Sequence, residues 1–220
     1  MEMSTHNILD QMLSEAKLSK KDTAKQQRIL HAAIALFAEK GFANTSTSEI
    51  AKNSGVAEGT IFRHYGTKEN LLIAVIVPFL KQSLPMMAKE VFEEINPSKH
   101  ARFEDFIRAL FLNRMRFFRE NKDIFRVVVK EFVYREELRT ELLTHVNKEI
   151  VGYLNQALDY SKGKGELPDR PNGYLLKLIF PYIFSQFVIR FVLSAKEPDV
   201  PDEVEADAIV KFVVNGIRSC

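Results

Sequence analysis

Ser46-Thr47-Ser48-Glu49-Ile50-Ala51-Lys52-Asn53-Ser54-Gly55-Val56-Ala57-Glu58-Gly59-Thr60-Ile61-Phe62-Arg63-His64-Tyr65 is the most informative stretch of the chain. Ser46 and Glu49 stand three apart, the spacing of a capping box, and predict a short helix through Ile50 and Ala51. Asn53-Ser54-Gly55-Val56 predicts a tight turn in which Gly55 supplies the backbone freedom. Glu58–Tyr65 predicts a second short helix. Ile50, Ala51, Val56 and Ile61 point inward and hold the two helices at a fixed angle. That is the geometry of a helix-turn-helix, whose second helix lies in a major groove with its N-terminal residues at base edges.

Upstream, Ile29, Ala32, Ala33, Leu36 and Phe37 mark one face of a helix that Gly41 closes. Downstream, Gly66-Thr67 breaks and recaps the chain before a longer helix over 68–92, which Pro78 and Pro85 should kink. Beyond Asn96-Pro97 the helical stripes lengthen, and no convincing run of strict alternation appears. The expected class is all-α, in three parts. Residues 1–22 form an N-terminal extension, 23–83 a small basic unit with the motif at 46–65, and 84–220 a larger apolar unit. In the extension, Ile8, Leu9, Met12, Leu13 and Ala16 make an amphipathic stripe that is either a short helix or a solvated tail.

The 220 residues are 46% hydrophobic and 27% charged, which excludes a disordered chain. The single cysteine, Cys220, excludes a disulfide framework and suits a reducing cytoplasm. Met1–Gln11 is too polar for a signal peptide. Leu71–Leu80 is too short to span a bilayer, and Leu178–Leu193 carries Pro181, Gln186 and Arg190, so no membrane role is expected. Net charge is only +2, but it is unevenly spread. Between Lys17 and Lys68, the bases Lys17, Lys20, Lys21, Lys25, Arg28, Lys40, Lys52, Arg63 and Lys68 outnumber the acids Asp22, Glu39, Glu49 and Glu58. The stretch Glu197–Asp207 is acidic, with no base. On charge alone, such asymmetry is either an end that faces a polyanion or a chance excess on a solvated face.

The outward positions of the second short helix are Glu58, Gly59, Thr60, Phe62, Arg63 and His64. Gly59 permits close backbone approach, Thr60 can donate to a phosphate, and Arg63 can pair bidentately with guanine. Glu58 either accepts from a cytosine amino group or repels phosphate. Lys68, in the first turn of the following helix, is poorly matched to the helix dipole, and a phosphate there would satisfy both it and the free amides.

From about Thr23 to Ala74 the chain resembles the tetracycline-repressor (TetR) family of bacterial transcription regulators. The resemblance is carried by Ile29, Ala33, Phe37, Gly41-Phe42, Ile50-Ala51, Gly55-Val56, Gly59-Thr60-Ile61-Phe62, His64-Tyr65 and Lys68-Glu69-Asn70-Leu71. It implies a cytoplasmic homodimer on a palindromic DNA operator, with repression as the default and a small-molecule effector bound in the C-terminal domain. It further implies that 23–83 is a DNA-binding domain and 84–220 a ligand-binding and dimerisation domain. The DNA contacts it implies come from Thr47, Ser48, Glu58, Gly59, Thr60, Phe62, Arg63, His64 and Lys68. Three positions depart from the family pattern. Phe62 stands where Tyr is usual, Tyr65 where Phe is usual, and Ala57 replaces the usual capping Ser, a loss of about 1 kcal/mol of helix stability.

Phenylalanine is abundant, at 17 residues, and most follow Asn96. Most of these rings pack a core; some are expected to line a cavity for an apolar or amphipathic ligand. The expected walls are Phe106, Leu110, Phe111, Arg114, Phe125, Val128, Phe132, Tyr153, Phe184 and Phe187, with Arg114 available for a carboxylate or phosphate head group. The helix at 174–195 is apolar nearly all round. Phe180, Phe184, Phe187 and Phe191 form one face, and Ile179, Ile183, Gln186 and Arg190 form another. Two apolar faces need two burial partners, the core and a second subunit. The expected interface joins Ile179, Ile183, Gln186 and Arg190 to Ile209, Phe212 and Val213 across a two-fold axis.

An enzyme finds little support. The chain has no nucleophile elbow, Walker loop or His-Glu-x-x-His pair, its histidines are scattered, and no cofactor or metal is expected. A helical protein-interaction scaffold without specific DNA binding would account for the apolar helices, but not for the basic helix-turn-helix.

Overall fold

A computed structural model describes residues 20–78, 89, 102–136, 138–140, 148–194 and 200–218. The stripe at Ile8–Ala16 and the kink at Pro85 lie outside the described residues. Every regular element among those described is helical. They are α1 (Lys20–Lys40), α2 (Thr47–Ser54), α3 (Glu58–Tyr65), α4 (68–78), α5 (Phe103–Glu120), α6 (Lys122–Phe132), α7 (Lys148–Gly163), α8 (Asn172–Val188) and α9 (Asp202–Arg218). A π-helical turn, Ile189–Leu193, continues α8. Because α1 begins at Lys20, the boundary expected at residue 23 falls inside a helix.

The chain divides into two compact units, and it does so twice. Residues 1–83 and 121–145 make the first unit; 84–120 and 146–220 make the second. The C-terminal domain expected over 84–220 is therefore interrupted, since α6 packs on α1 in the first unit. The cause is composition at helical spacing. Ile124, Phe125 and Val127 are buried on one face of α6, and Ile29, Leu30, Ala33, Ile34 and Phe37 form the buried face of α1. Ile50 and Ala51 of α2, Ile61 of α3, and Leu71, Leu72, Val75 and Ile76 of α4 complete this core.

In the second unit α5 packs against α7, α8 and α9, and α8 packs against α7 and α9. Phe103, Phe106, Ile107, Leu110, Phe111 and Met115 are the buried face of α5. Its first turn is closed from the loop after α7, where Glu166 Oε2 accepts from the Phe103 amide at 2.7 Å. A carboxylate there answers one of the free amides and the helix dipole together.

Candidate nucleic-acid interface

The entry to the helix-turn-helix is set by α1. Gly41, at φ 83°, stops that helix in a conformation other residues avoid. Thr45 Oγ1 then donates back to the Leu36 and Gly41 carbonyls at 3.2 and 2.9 Å. The capping box forms as the spacing predicts. Ser46 Oγ accepts from the Glu49 amide, and Glu49 Oε2 accepts from the Ser46 amide at 3.2 Å. Lys40, at the end of α1, donates to the other Glu49 oxygen at 2.7 Å. That hydrogen bond, with the one from the Ser46 amide, holds the Glu49 carboxyl below its ordinary range. The pair is exposed, so its value is in direction more than in energy.

Gly55 ends α2 at φ 66°, ψ 37°, with its amide on the last carbonyls of the helix. Ala57 starts α3 in extended backbone with no side-chain cap, as the missing serine predicts. Instead, Thr47 Oγ1 reaches across the motif and donates to Glu58 Oε1 at 2.6 Å. This bond ties the first turn of α2 to the first turn of α3. Glu58 is thus partly engaged inside the motif, beside the N-terminal dipole that favours its charge.

Ser48, Gly59, Phe62 and Arg63 are exposed, while Thr47, Glu58, Thr60 and His64 are half-buried. A Cβ on Gly59 would meet nothing within 4 Å, so the surface there is open to a close approach. The His64 Nε2 edge is covered, with no hydrogen-bond partner among the described residues. Burial pushes the Tyr65 hydroxyl up to about 12, so it stays protonated. Lys68 departs from expectation. Its ammonium donates to the Phe42 and Thr45 carbonyls at 2.9 and 2.8 Å and lies over the Phe42 ring. Thr67 Oγ1 accepts from the Asn70 amide at 3.0 Å, which answers one of the free amides of α4. Lys68 is therefore a clamp on the loop that leads into α2 rather than a free phosphate ligand. The bond spans 26 residues and leaves no trace in local spacing.

The residues expected to line a ligand cavity are split between the units. Phe125, Val128 and Phe132 belong to α6 and the first unit; the other seven lie in the second. There Phe111 stacks on Phe187 with centroids 5.1 Å apart, and Phe118 meets the same ring at 5.1 Å. Phe106 and Leu110 are buried beside them on α5, and Arg114 and Tyr153 are half-buried. Phe184, by contrast, is 40% exposed.

The face of α8 expected at the interface turns inward, and Phe187 and Phe191 of the other face are buried with it. Ile179 and Ile183 are buried in their own unit, at 4% and 5% exposure, as are Ile209 and Val213 of α9. Phe180 (48% exposed), Phe184 and Phe212 (62%) face outward, with Tyr182 stacked on Phe212 at 4.4 Å and Gln186 half-buried. Arg190 explains the inward turn. It is buried among carboxylates of α9, with Nη2 3.0 Å from Asp202 Oδ1 and Nη1 bonded to Glu205. A buried guanidinium needs such partners, and the acidic start of α9 supplies them within the same unit. Residues 172–193 form a helix long and apolar enough to cross a membrane by length and composition, and a third of its most apolar window is buried.

Arg119 completes this ionic cluster, with two parallel bonds to Asp202 at 2.7 Å. These hydrogen bonds, and then the charges of Arg119 and Arg190, hold the Asp202 carboxyl below its ordinary 3.8. A depressed carboxylate stabilises the fold above its ordinary value, and the gain is lost as pH falls through the lowered one. Thermal unfolding followed from about pH 5 to about pH 2 should therefore show a loss of stability that is smaller in Asp202→Asn. Equal acid sensitivity in the two chains would remove Asp202 from that role.

The family model described as "Bacterial regulatory proteins, tetR family" matches residues 29–75, the span from α1 through α4. The chain belongs to the TetR family. It is a helix-turn-helix regulator of transcription, and α2–α3 lies within the matched span. The HTH-type transcriptional regulator YerO of Bacillus subtilis is 31% identical over 142 residues, 59% of this chain and 47% of that one. The chain thus spans about half the length of that relative. The fatty acid metabolism regulator protein of the same organism is 24% identical over 203 residues, 91% of this chain and 99% of that one. Among solved structures, the regulator FadR from Bacillus subtilis in complex with stearoyl-CoA superposes with a TM-score of 0.64 at 19% identity. It covers 86% of this chain and 98% of FadR. At that identity the likeness is one of fold.

Against the TetR pattern, the residues that sequence reasoning misses are those acting at long range. Arg135 carries no motif signal of its own, although its guanidinium lies 3.9 Å from the centroid of the Phe42 ring.

Proposed function

We propose that this TetR-family regulator is a ligand-responsive repressor that binds a palindromic operator as a homodimer and leaves it when an amphipathic ligand binds. The observation that carries this reading is the open, exposed surface of α3 at Gly59, Phe62 and Arg63, on a helix fixed by Ile61 and by the Thr47–Glu58 bond. Such a helix presents its first turns to base edges, and the hydroxyls of Ser48 and Thr60 are the candidates for phosphate, since Thr47 gives its proton to Glu58. Phe62, lacking a hydroxyl, offers apolar contact with a thymine methyl instead.

The exposed aromatic surface of Phe180, Phe184 and Phe212 is the face that a second copy covers, and it replaces the interface expected from Ile179, Ile183 and Arg190. The ligand class is a long-chain acyl thioester of coenzyme A. Its support is the likeness to a fatty acid metabolism regulator and to the stearoyl-CoA-bound FadR, together with the aromatic cluster of Phe111, Phe118 and Phe187. Phe106, Leu110, Arg114 and Tyr153 are the further candidates around it. The protein acts in the cytoplasm.

Selection from random duplexes by the purified chain tests the reading. The expected product is a palindrome whose half-sites are centred about 34–36 Å apart, from which stearoyl-CoA displaces the protein while free coenzyme A does not. Selection of no common sequence would overturn the DNA reading. Retention on the duplex in the presence of stearoyl-CoA would overturn the ligand class.

A further inference from the structure

Two cations lie over one aromatic ring at the entrance to the helix-turn-helix. The Arg135 guanidinium is 3.9 Å from the Phe42 centroid, and the Lys68 ammonium is 4.3 Å from it. Phe42 is itself buried and packs on Phe37 with centroids 5.2 Å apart. The negative face of the ring attracts each cation, yet two like charges beside one ring repel unless each is compensated. Both are. Lys68 is held by the Phe42 and Thr45 carbonyls, and Arg135 Nε donates to Glu131 Oε2 at 2.9 Å, one turn back on α6. The Glu131–Arg135 pair is well covered from solvent, so it holds its geometry better than a surface pair.

This cluster stands at the head of a chain of contacts. Phe42 and Thr45 bound the loop that ends in Ser46, the cap of α2. Thr47 of α2 is bonded to Glu58 of α3. The orientation of α3 is therefore referenced, through Phe42, to α6.

We propose that Arg135 is a positioning residue for DNA recognition: its stack on Phe42 sets the orientation of α2–α3 relative to α6. The proposal rests on the reading of the chain as an operator-binding regulator. Arg135 acts through Phe42, so its loss should leave non-specific attraction to DNA intact while specific binding falls.

The test is fluorescence anisotropy of the full chain on its selected operator and on an unrelated duplex, over a salt series. Arg135→Met should lower operator affinity about tenfold, the scale of a covered cation–π contact. Affinity for the unrelated duplex should stay within about twofold, and the slope of log affinity against log salt should not change, because no phosphate contact is lost. Arg135→Lys should retain most of the affinity. Arg135→Met combined with Phe42→Leu should lose no more than the larger single effect. Unchanged operator affinity, an equal loss on both duplexes, a shallower salt slope or additive losses would each overturn the proposal. If Arg135→Met does not fold, Arg135→Lys and Phe42→Leu carry the same comparison. An unaltered chain that selects no operator overturns this inference together with the reading beneath it.

Discussion

Phe180→Glu combined with Phe184→Glu is expected to turn the regulator into a monomer without unfolding it. Both rings are largely exposed in the single chain, at 48% and 40%, so the charges enter water when no partner is present. Across a two-fold interface each substitution counts twice. Fully burying one phenylalanine contributes about 1.5–3 kcal/mol. About half of each ring is left for a partner to cover, so four lost rings amount to roughly 3–6 kcal/mol before the repulsion of the new carboxylates is added. Sedimentation at micromolar concentration should show a single chain with unchanged helix content. Operator affinity should collapse with it, since one half-site alone replaces two. The matching change on the other face, Ile183→Glu, places a charge in the core and should unfold the second unit. A double mutant that remains dimeric would move the interface elsewhere.

That contrast marks where the sequence stops being legible. Two apolar faces on α8 can be read from spacing, but spacing carries no sign for which of them turns inward. The sign comes from Arg190. Its carboxylate partners, Asp202 and Glu205, stand on the next helix, and only the fold brings them to it. The π-helical turn that holds Arg190 and Phe191 adds a residue to the local period and shifts the register at that end. Local features are another matter. The Ser46–Glu49 box, the stop at Gly41, the turn at Gly55 and the uncapped start at Ala57 are each fixed by residues within four positions of one another. They follow from elementary capping chemistry. The assignment of α6 to the first unit does not, because its apolar face fits α1 only after more than eighty intervening residues have been folded.

The same division runs through the DNA-binding surface. Ser48, Gly59, Phe62 and Arg63 are exposed, whereas Thr47 is bonded to Glu58. Lys68 leaves its position for the Phe42 and Thr45 carbonyls, and the Nε2 edge of His64 is covered. Recognition by α3 is thereby concentrated on fewer side chains.

Arg63→Ala is for that reason expected to have a large and sequence-selective effect on operator binding. Arg63 is exposed on α3, and no hydrogen bond or ion pair engages its guanidinium among the described residues. Its planar fork matches the O6 and N7 acceptors of guanine, a pairing worth about 1–3 kcal/mol of discrimination per base pair. A dimer makes that contact in both half-sites, so operator affinity should fall by roughly two to four orders of magnitude. The preference for guanine at one symmetric pair of positions should vanish while the other positions keep theirs. Arg63→Lys should restore charge but not the bidentate geometry, and so recover affinity for all duplexes without recovering the base preference. Binding profiles over a single-substitution library of the operator separate these outcomes. A uniform loss at every position in Arg63→Ala would make Arg63 a phosphate contact and leave base reading to the remaining exposed residues of α3.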